Sequence, residues 1–497
     1  MDGLLLGVDI GTSSSKGVLV SPRGTIVARA SRPHDTSYPH PGWVEHDAET
    51  VWWQDFLVIT RELVAAADQP IIGLGVSGIG PCFMPADDAG APLRPAILYG
   101  VDTRAGVEID ELNAEIGAEE ILRRGGTPLS SQAVGPKVRW FAKNEPERYE
   151  RTAMWFMASS YLVHKLTGRY VLDHHSASQC DPMYDLREAE WATDWCERIA
   201  PGLSLPELAW PTEVVGEVSA EAAALTGLPQ GLPVTAGTVD AWAEGTSVGV
   251  TDPGDVMVMY GTTMFLIQVL SDPSPHAGLW TTRGAFPGTY SLAAGMATSG
   301  AITDWLRKLV GGEFGTLVEE AAAVPAGSRG LLLLPYFAGE RTPIFDSEAR
   351  GIIAGLTLGH GRAELYRAAL EGIAYGVRHN LEAMREAGGG STRLVAVGGG
   401  TQGGLWTQIV TDVIGAEQQI PRETVGACFG DALLAATALG QDVDREQWNP
   451  VEQTVRPDAG RARAYDEFYK RYRELYPSTV DIAHFLAAEQ HAADAEG

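Results

Sequence analysis

The sequence predicts an α/β protein built from two domains, and four observations carry that prediction. The chain has 497 residues, more than the roughly 100 to 200 that one domain usually holds. Its opening reads strand, tight turn, strand, hairpin loop, strand, and then helix and strand. The same opening grammar returns in the second half. Glycine and proline number 58 and 29 without any period, which suits many tight connections and not linker.

Leu4–Asp9 reads as the first strand, the Gly-Thr-Ser-Ser-Ser run from Gly11 as a turn, Lys16–Val20 as the second strand, and Thr25–Ala30 as the third after the Ser-Pro-Arg-Gly loop. Helical spacing follows from Asp47 to Ala67. Trp52, Phe56, Ile59 and Leu63 share one face there, with Asp47 as the N-cap. The next strand is Ile71–Val76, and strand, helix, strand requires a crossover and hence a mixed sheet. In the second half a turn at Asp252–Asp255 leads into strand Val256–Tyr260, the small turn Gly261, Thr262, Thr263, and strand Phe265–Leu270. Two halves that open alike suggest a duplicated fold around a cleft, with the boundary near Gly245–Gly254. A last helix, Arg461–Tyr476, turns Tyr465, Phe468, Tyr472 and Leu475 toward the body.

Charge narrows the function classes. With 64 acidic and 37 basic side chains the formal net charge is −27, which repels phosphate backbones and anionic lipid, so neither nucleic acid nor a membrane is expected as a partner. No stretch approaches the roughly 18 apolar residues of a membrane span, and the N-terminus has no basic region, so the expected compartment is the cytoplasm. Cys82, Cys180, Cys196 and Cys428 form no CxxC pair, which disfavours a disulfide framework and a zinc module. Any anionic substrate must be met locally, by aimed amides, a metal or a few cations.

Three segments have the chemistry for that. Asp9–Gly17 ends a strand with a carboxylate and then offers Thr12, Ser13, Ser14 and Lys16 in one tight turn; such turns cradle phosphate, or merely satisfy their own backbone. Val397–Trp406 is strand, glycine cluster, helix, which lets backbone approach a flat or anionic ligand or simply packs tightly. It lacks the spacing of a dinucleotide loop. Ala236–Gly249 sets Asp240 among small residues after an apolar strand, either as the cap of a helix Ala241–Gly245 or as the acceptor of a hydroxyl proton during attack on phosphorus. His174 and His175 near Cys180 read as loop residues or as satisfied hydrogen-bonding groups, and Trp43, Trp52, Trp53 and Trp140 as core.

Together these segments resemble the FGGY family of carbohydrate kinases, within the actin-like ATPase superfamily, over essentially the whole chain. Asp9–Gly17 resembles the family's first phosphate loop, Met259–Phe265 its second, Ala236–Gly249 the segment of its catalytic aspartate and Val397–Trp406 its adenosine loop. Gly42–Asp47 and Gly339–Pro343 are similar to motifs of xylulokinase-like members, and Gly351–Glu371 fits the C-terminal signature throughout. The other signature is met only by Lys137, Val138, Trp140, Phe141 and Asn144. The resemblance implies two ribonuclease-H-like domains with a cleft between them: residues 1–245 on the sugar side, 246–480 on the nucleotide side, and 481–497 as a tail. It further implies ATP and Mg²⁺, with Asp240 as general base and Asp9 on the magnesium side through water. Thr12, Ser13, Ser14, Lys16 and Thr262 would face phosphates, while Gly300, Gly399, Gly400 and Gly404 would border the nucleotide.

On the sugar side, Asp102 and Arg104 match the family's DxR element, though on spacing alone they are equally an ordinary salt bridge. Gly80 and Pro81 stand where xylulokinases have a Met-His pair and glycerol kinases an Arg-Glu pair; Tyr99 replaces a tryptophan, and Gln132 stands where glycerol kinases have a tyrosine. Whole-chain similarity therefore points to a ketopentose, whereas these departures redirect the pocket toward another ketose, a tetrulose, an aldonate or a polyol. A homodimer is one option for the assembly. Two rivals are an actin-like ATPase indifferent to sugar and a sugar-sensing repressor; Asp240 speaks against the first, the acidic charge against the second.

Overall fold

The computed structural model describes residues 3–441 and 443–496. It consists of two compact units, Met1–Pro253 with Val269–Ser291 and Val425–Pro450, and Gly254–Gln268 with Leu292–Thr424 and Val451–Gly497. Two segments of the later half thus return to the first unit, which a single cut in the sequence does not express.

The first unit opens with β1 (Leu4–Ile10), β2 (Ser14–Val20) and β3 (Ile26–Pro33). Helix α1 (Gln54–Ala66) follows a wide π turn over Ala48–Trp53 that Asp47 caps, its Oδ1 accepting the amides of Glu49 and Thr50 at 3.0 and 2.8 Å. Then come β4 (Ile71–Gly78), β5 (Val214–Glu217), β6 (Pro233–Thr235), β7 (Thr238–Val239) and α2 (Asp240–Ser247). The sheet runs β5–β6–β4–β1–β2–β3, with β7 also on β4. β1 is parallel to β4 and antiparallel to β2, so the mixed sheet expected from the crossover is present. The third strand runs to Pro33 and the fourth to Gly78, further than spacing alone indicated.

β1 is apolar almost throughout because both its faces are covered. Leu4, Leu6, Val8 and Ile10 join Trp52, Phe56, Ile59 and Leu63 of the α1 region in one core. Leu5 points the other way, with Val18 and Val20, onto the helix Ala427–Ala438. That helix lies with its backbone directly on the sheet. A Cβ at Gly7 would stand 1.8 Å from the carbonyl oxygen of Cys428, and one at Gly75 2.1 Å from that of Asp431, so both strands need glycine there.

The second unit repeats the pattern. Its strands are β8 (Asp255–Tyr260), β9 (Met264–Leu270), β10 (Tyr290–Met296), β11 (Arg393–Val397), β12 (Gln418–Pro421) and β13 (Val451–Val455), and its principal helices near the strand ends are α3 (Gly300–Val310) and α4 (Leu405–Ile414). The order β10–β9–β8–β11–β12–β13 has the antiparallel hairpin and parallel centre of the first sheet. The terminal helix runs Ala459–Glu496, past the expected stop at Tyr476 and through Pro477. Buried Tyr465, Tyr469 and Tyr472 anchor it before the proline and Ala483 and Ala487 after it, which offsets the lost backbone bond. Phe468 is half-buried with its ring against Gly327, and Tyr469 beside it is buried as well. Among the described residues no helix is long and apolar enough to cross a membrane.

Candidate active site

Strand register assembles the site in the first unit. Asp9 pairs with Lys16 across β1 and β2, Asp9 with Ser77 across β1 and β4, and Ser77 with Thr238 across β4 and β7. Paired residues share a face, so one row carries Lys16, Asp9, Ser77 and Thr238. β7 leads directly into α2, which opens on Asp240. Asp240 is the first helical residue, with Val239 at the cap position, and its Oδ1 accepts the Ala241 amide at 2.7 Å.

The turn Gly11–Ser14 is held by its carbonyls. Gly11 O accepts from His34 Nε2 at 3.1 Å, Thr12 O from Thr36 Oγ1 at 2.9 Å, Ser13 O from the His34 amide at 3.0 Å and Ser14 O from the Gly11 amide at 3.2 Å. With four successive carbonyls tied back, no acceptor among the described residues takes the amides of Thr12 and Ser13. That leaves two unpaired N–H donors beside the exposed Lys16, the kind of arrangement that binds anions.

Carboxyls crowd the same row. Burial pushes the Asp9 pKa up to about 6, against the pull of Lys16 and of the Ser77 hydroxyl. Burial and the nearby Asp9 charge push Asp240 well above the usual carboxylate range and Glu244, one helical turn on, up to about 7. Asp431 of the helix Ala427–Ala438 is raised by burial and by Asp9 in the same way, and its Oδ1 has no hydrogen-bond partner among the described residues. Ser77 Oγ donates to Asp431 Oδ2 at 2.7 Å and to Asp9 Oδ1 at 3.2 Å. One hydroxyl proton cannot serve two carboxylates fully, so a proton retained on Asp431 fits the geometry.

In the second unit two loops sit at the ends of the parallel neighbours β8 and β11, where α/β sheets bind ligands. The turn Gly261–Thr263 packs on the start of α3: Gly261 O accepts the Gly300 amide at 3.0 Å, and Thr262 O accepts those of Ser299 and Ala301 at 3.0 and 3.1 Å. The Thr262 side chain stays exposed. After β11 the chain makes a tight turn over Gly399–Thr401 and enters α4 through Gly404, leaving Gly399 and Gly404 open to solvent and Gly400 half-buried beside Trp406.

Comparison with known proteins decides the family. Residues 4–245 match the N-terminal domain of the FGGY family of carbohydrate kinases, and residues 256–439 its C-terminal domain. The chain belongs to the FGGY family of carbohydrate kinases. It is 29% identical to xylulose kinase of Escherichia coli, over 96% of this chain and all of the relative, and 31% identical to glycerol kinase of Nocardia farcinica, over 95% and 99%. The crystal structure of xylulose kinase from Rhodospirillum rubrum superposes with a TM-score of 0.90 at 35% identity, covering 97% of this chain and all of that one. The protein is thus an ATP-dependent carbohydrate kinase, with the two-domain fold expected of the family.

The structure of this FGGY kinase places the residues expected on the sugar side unequally. Asp102 is fully engaged: it accepts the Val44 amide at 2.7 Å, and Arg104 Nε and Nη2 reach its oxygens at 2.9 and 2.7 Å. Arg104 is buried on the Trp43 ring with Nη1 2.8 Å from Glu45, yet that nitrogen makes no hydrogen bond among the described residues, so the ion pair leaves one guanidinium donor unused. Gln132 Oε1 accepts the Gly100 amide at 3.0 Å, and Lys137 holds that loop through the carbonyls of Ser131, Gln132 and Ala133. Tyr99 stands nearer the row, its hydroxyl 3.3 Å from Thr12 Oγ1. Gly80 lies against Val239, the residue before Asp240; a Cβ there would come within 2.7 Å of Val239 Cγ2.

His175 is a satisfied core residue of the kinase, stacked on Trp242 with Nδ1 donating to the Arg283 carbonyl. Sequence reasoning missed Ser77, Glu244 and Asp431. Glu244 had a signal in its four-residue spacing from Asp240, and Asp431 in being a carboxylate inside the apolar run Ala427–Ala438.

Proposed function

We propose that this kinase transfers the terminal phosphoryl group of ATP to a hydroxyl of a ketose of ketopentose size, with Asp240 taking the hydroxyl proton. One observation carries the reading: Asp240 opens its helix directly beside the strand row of Lys16, Asp9 and Ser77, next to a turn in which two amides have no acceptor among the described residues. As the substrate oxygen bonds to phosphorus, its proton passes to an Asp240 oxygen and the bond to ADP breaks. Burial makes that carboxylate an effective base once ionised. The Thr12 and Ser13 amides and Lys16 meet charge on the transferred group, while the Thr262 turn and the Gly399–Gly404 loop hold the nucleotide.

Mg²⁺ fits this donor set, because Asp9, Asp240 and Asp431 crowd hard carboxylate oxygens together, one of which, Asp431 Oδ1, has no hydrogen-bond partner among the described residues. Among the described residues no cluster of three or more potential ligands is arranged to hold a metal directly, so Asp9 would act through water. The cation supplies neutralisation of phosphate charge. The cytoplasm, which supplies ATP, is the proposed compartment.

The xylulose kinases of Escherichia coli and Rhodospirillum rubrum support the ketopentose. A second reading, a different ketose or a polyol, is favoured by Val239 filling the space at Gly80, which makes that wall apolar. Initial rates over D-xylulose, tetruloses, aldonates and glycerol, with ³¹P spectra of the products, decide between them. The ketopentose reading expects D-xylulose to give the highest kcat/KM; another compound exceeding it by about tenfold, some 1.4 kcal/mol of transition-state preference, would establish the second.

A further inference from the structure

His34 follows β3 directly and supplies two of the four bonds that tie back the Gly11–Ser14 turn, one from its backbone amide and one from its ring. Its ring is buried, 7% exposed, and both nitrogens meet oxygen: Nδ1 lies 2.8 Å from Asp55 Oδ2 of α1 and Nε2 3.1 Å from Gly11 O. A carbonyl oxygen only accepts, and a carboxylate only accepts. A neutral imidazole has one N–H, so it would set a bare nitrogen lone pair against one of these two oxygens. The imidazolium satisfies both.

The geometry points to His34 as a positioning residue of the kinase reaction, a buried imidazolium whose charge and second proton hold the Gly11–Ser14 turn in its anion-binding form. This rests on the reading of that turn as the phosphate site. Asp55 is set for the task, because its Oδ2 also accepts the Ser15 hydroxyl at 2.7 Å, so α1 grips both ends of the turn through one carboxylate. The titratable groups packed against the ring are Asp55 from α1 and His46 after β3, whose ring meets it edge-on at 5.1 Å; Asp9, at the end of β1, feels its charge. His46 is neutral: burial and His34 push its pKa down to about 4, and its Nδ1 accepts from Trp52 Nε1 at 3.2 Å. It reaches the same turn from the other side, through Thr36 and the Thr12 carbonyl. Burial of His34 opposes its charge, but Asp55 and the Gly11 carbonyl outweigh burial and hold its pKa above the ordinary value. The imidazolium therefore holds the turn below that raised pKa and releases it as pH rises through it. A cation behind the turn also favours phosphate in front of it, in a protein whose net charge is −27.

Ring nitrogens of His34 in full-length ¹⁵N-histidine-labelled protein report the charge, and steady-state kinetics with ATP and the best sugar report its use. The expected titration has the second ring proton leave above the ordinary 6.5, and kcat/KM for ATP falls over the pH range in which it leaves. His34→Gln should raise KM for ATP about tenfold at pH 7, leave KM for the sugar unchanged and abolish that alkaline limb. Asp55→Asn, which keeps the ring, should move the limb to lower pH and serves if His34→Gln does not fold. A His34 that loses its second ring proton below 6.5, or an alkaline limb that persists unaltered in both variants, overturns the proposal. Lys16→Met, which removes the cation beside the turn, separates the two levels. If it raises KM for ATP while His34→Gln does not, only the His34 assignment falls; if neither does, the turn is not the phosphate site and both fall.

Discussion

Replacing Asp240 by asparagine isolates the proton transfer from everything else that residue does. The amide side chain keeps an Oδ1 to accept the Ala241 N–H, which lies 2.7 Å from the aspartate oxygen, so α2 begins as before, and the side-chain volume is unchanged. What disappears is the basic oxygen. Loss of a positioned general base costs on the order of 10² to 10⁴ in rate, equivalent to about 3 to 5 kcal/mol in the barrier. The substitution also removes one of the carboxyls that Asp9 and Glu244 repel, so the variant should be no less stable than the wild type at pH 7. A coupled assay of ADP release at saturating ATP and sugar, with calorimetry of ATP binding, gives both halves: kcat down by at least about a hundredfold, and the ATP dissociation constant within about threefold. The wild-type rate should rise with pH through the raised Asp240 ionisation, and the variant should lack that acidic limb. Near wild-type kcat in Asp240→Asn would refute the base assignment and leave the residue a helix-start acceptor.

Thr12→Val removes a hydroxyl from the turn and should raise KM for ATP about tenfold with sugar KM unchanged, as initial-rate kinetics will show. Asp431→Asn should stabilise the protein increasingly as pH rises: the folded pKa of Asp431 lies above the ordinary 3.8, so its ionisation costs stability from there upward. Melting curves at pH 5 and 8.5 test this, and a gain that is equal at both or larger at pH 5 speaks against it. Gly80→Ala puts a Cβ 2.7 Å from Val239 Cγ2, an overpacking worth about 1–3 kcal/mol beside Asp240, so a lower melting temperature and a lower kcat are expected together.

The fold was legible because its signals are local. The strand, turn and strand at Leu4–Val20, the 3.6-residue spacing of Trp52, Phe56, Ile59 and Leu63, and the repeat at Val256–Leu270 each describe a contiguous stretch, and each is present. The terminal helix runs past the expected Tyr476 because buried alanines beyond Pro477 hold it, and these are not visible as an apolar stripe. The row Lys16, Asp9, Ser77 and Thr238 was only half legible. Asp9 and Lys16 are hairpin neighbours, but Ser77 reaches Asp9 through parallel pairing across 68 positions of sequence, and Asp431 reaches Ser77 through helix packing across 354. Arg104 and Asp102 show the reverse case: the DxR pattern stands out in the sequence, while its buried pairing with Glu45 and the Trp43 ring depends on the tertiary fold.

The central claim is that this chain couples ATP cleavage to a sugar hydroxyl. Measuring ATP turnover by the wild-type protein with Mg²⁺, first alone and then with each compound of a ketose, aldonate and polyol panel, tests it most directly. The account predicts slow turnover alone and at least about a hundredfold increase with one compound, with one sugar phosphate formed per ADP. Turnover that is equal with and without every compound, and no phosphorylated sugar, would contradict it.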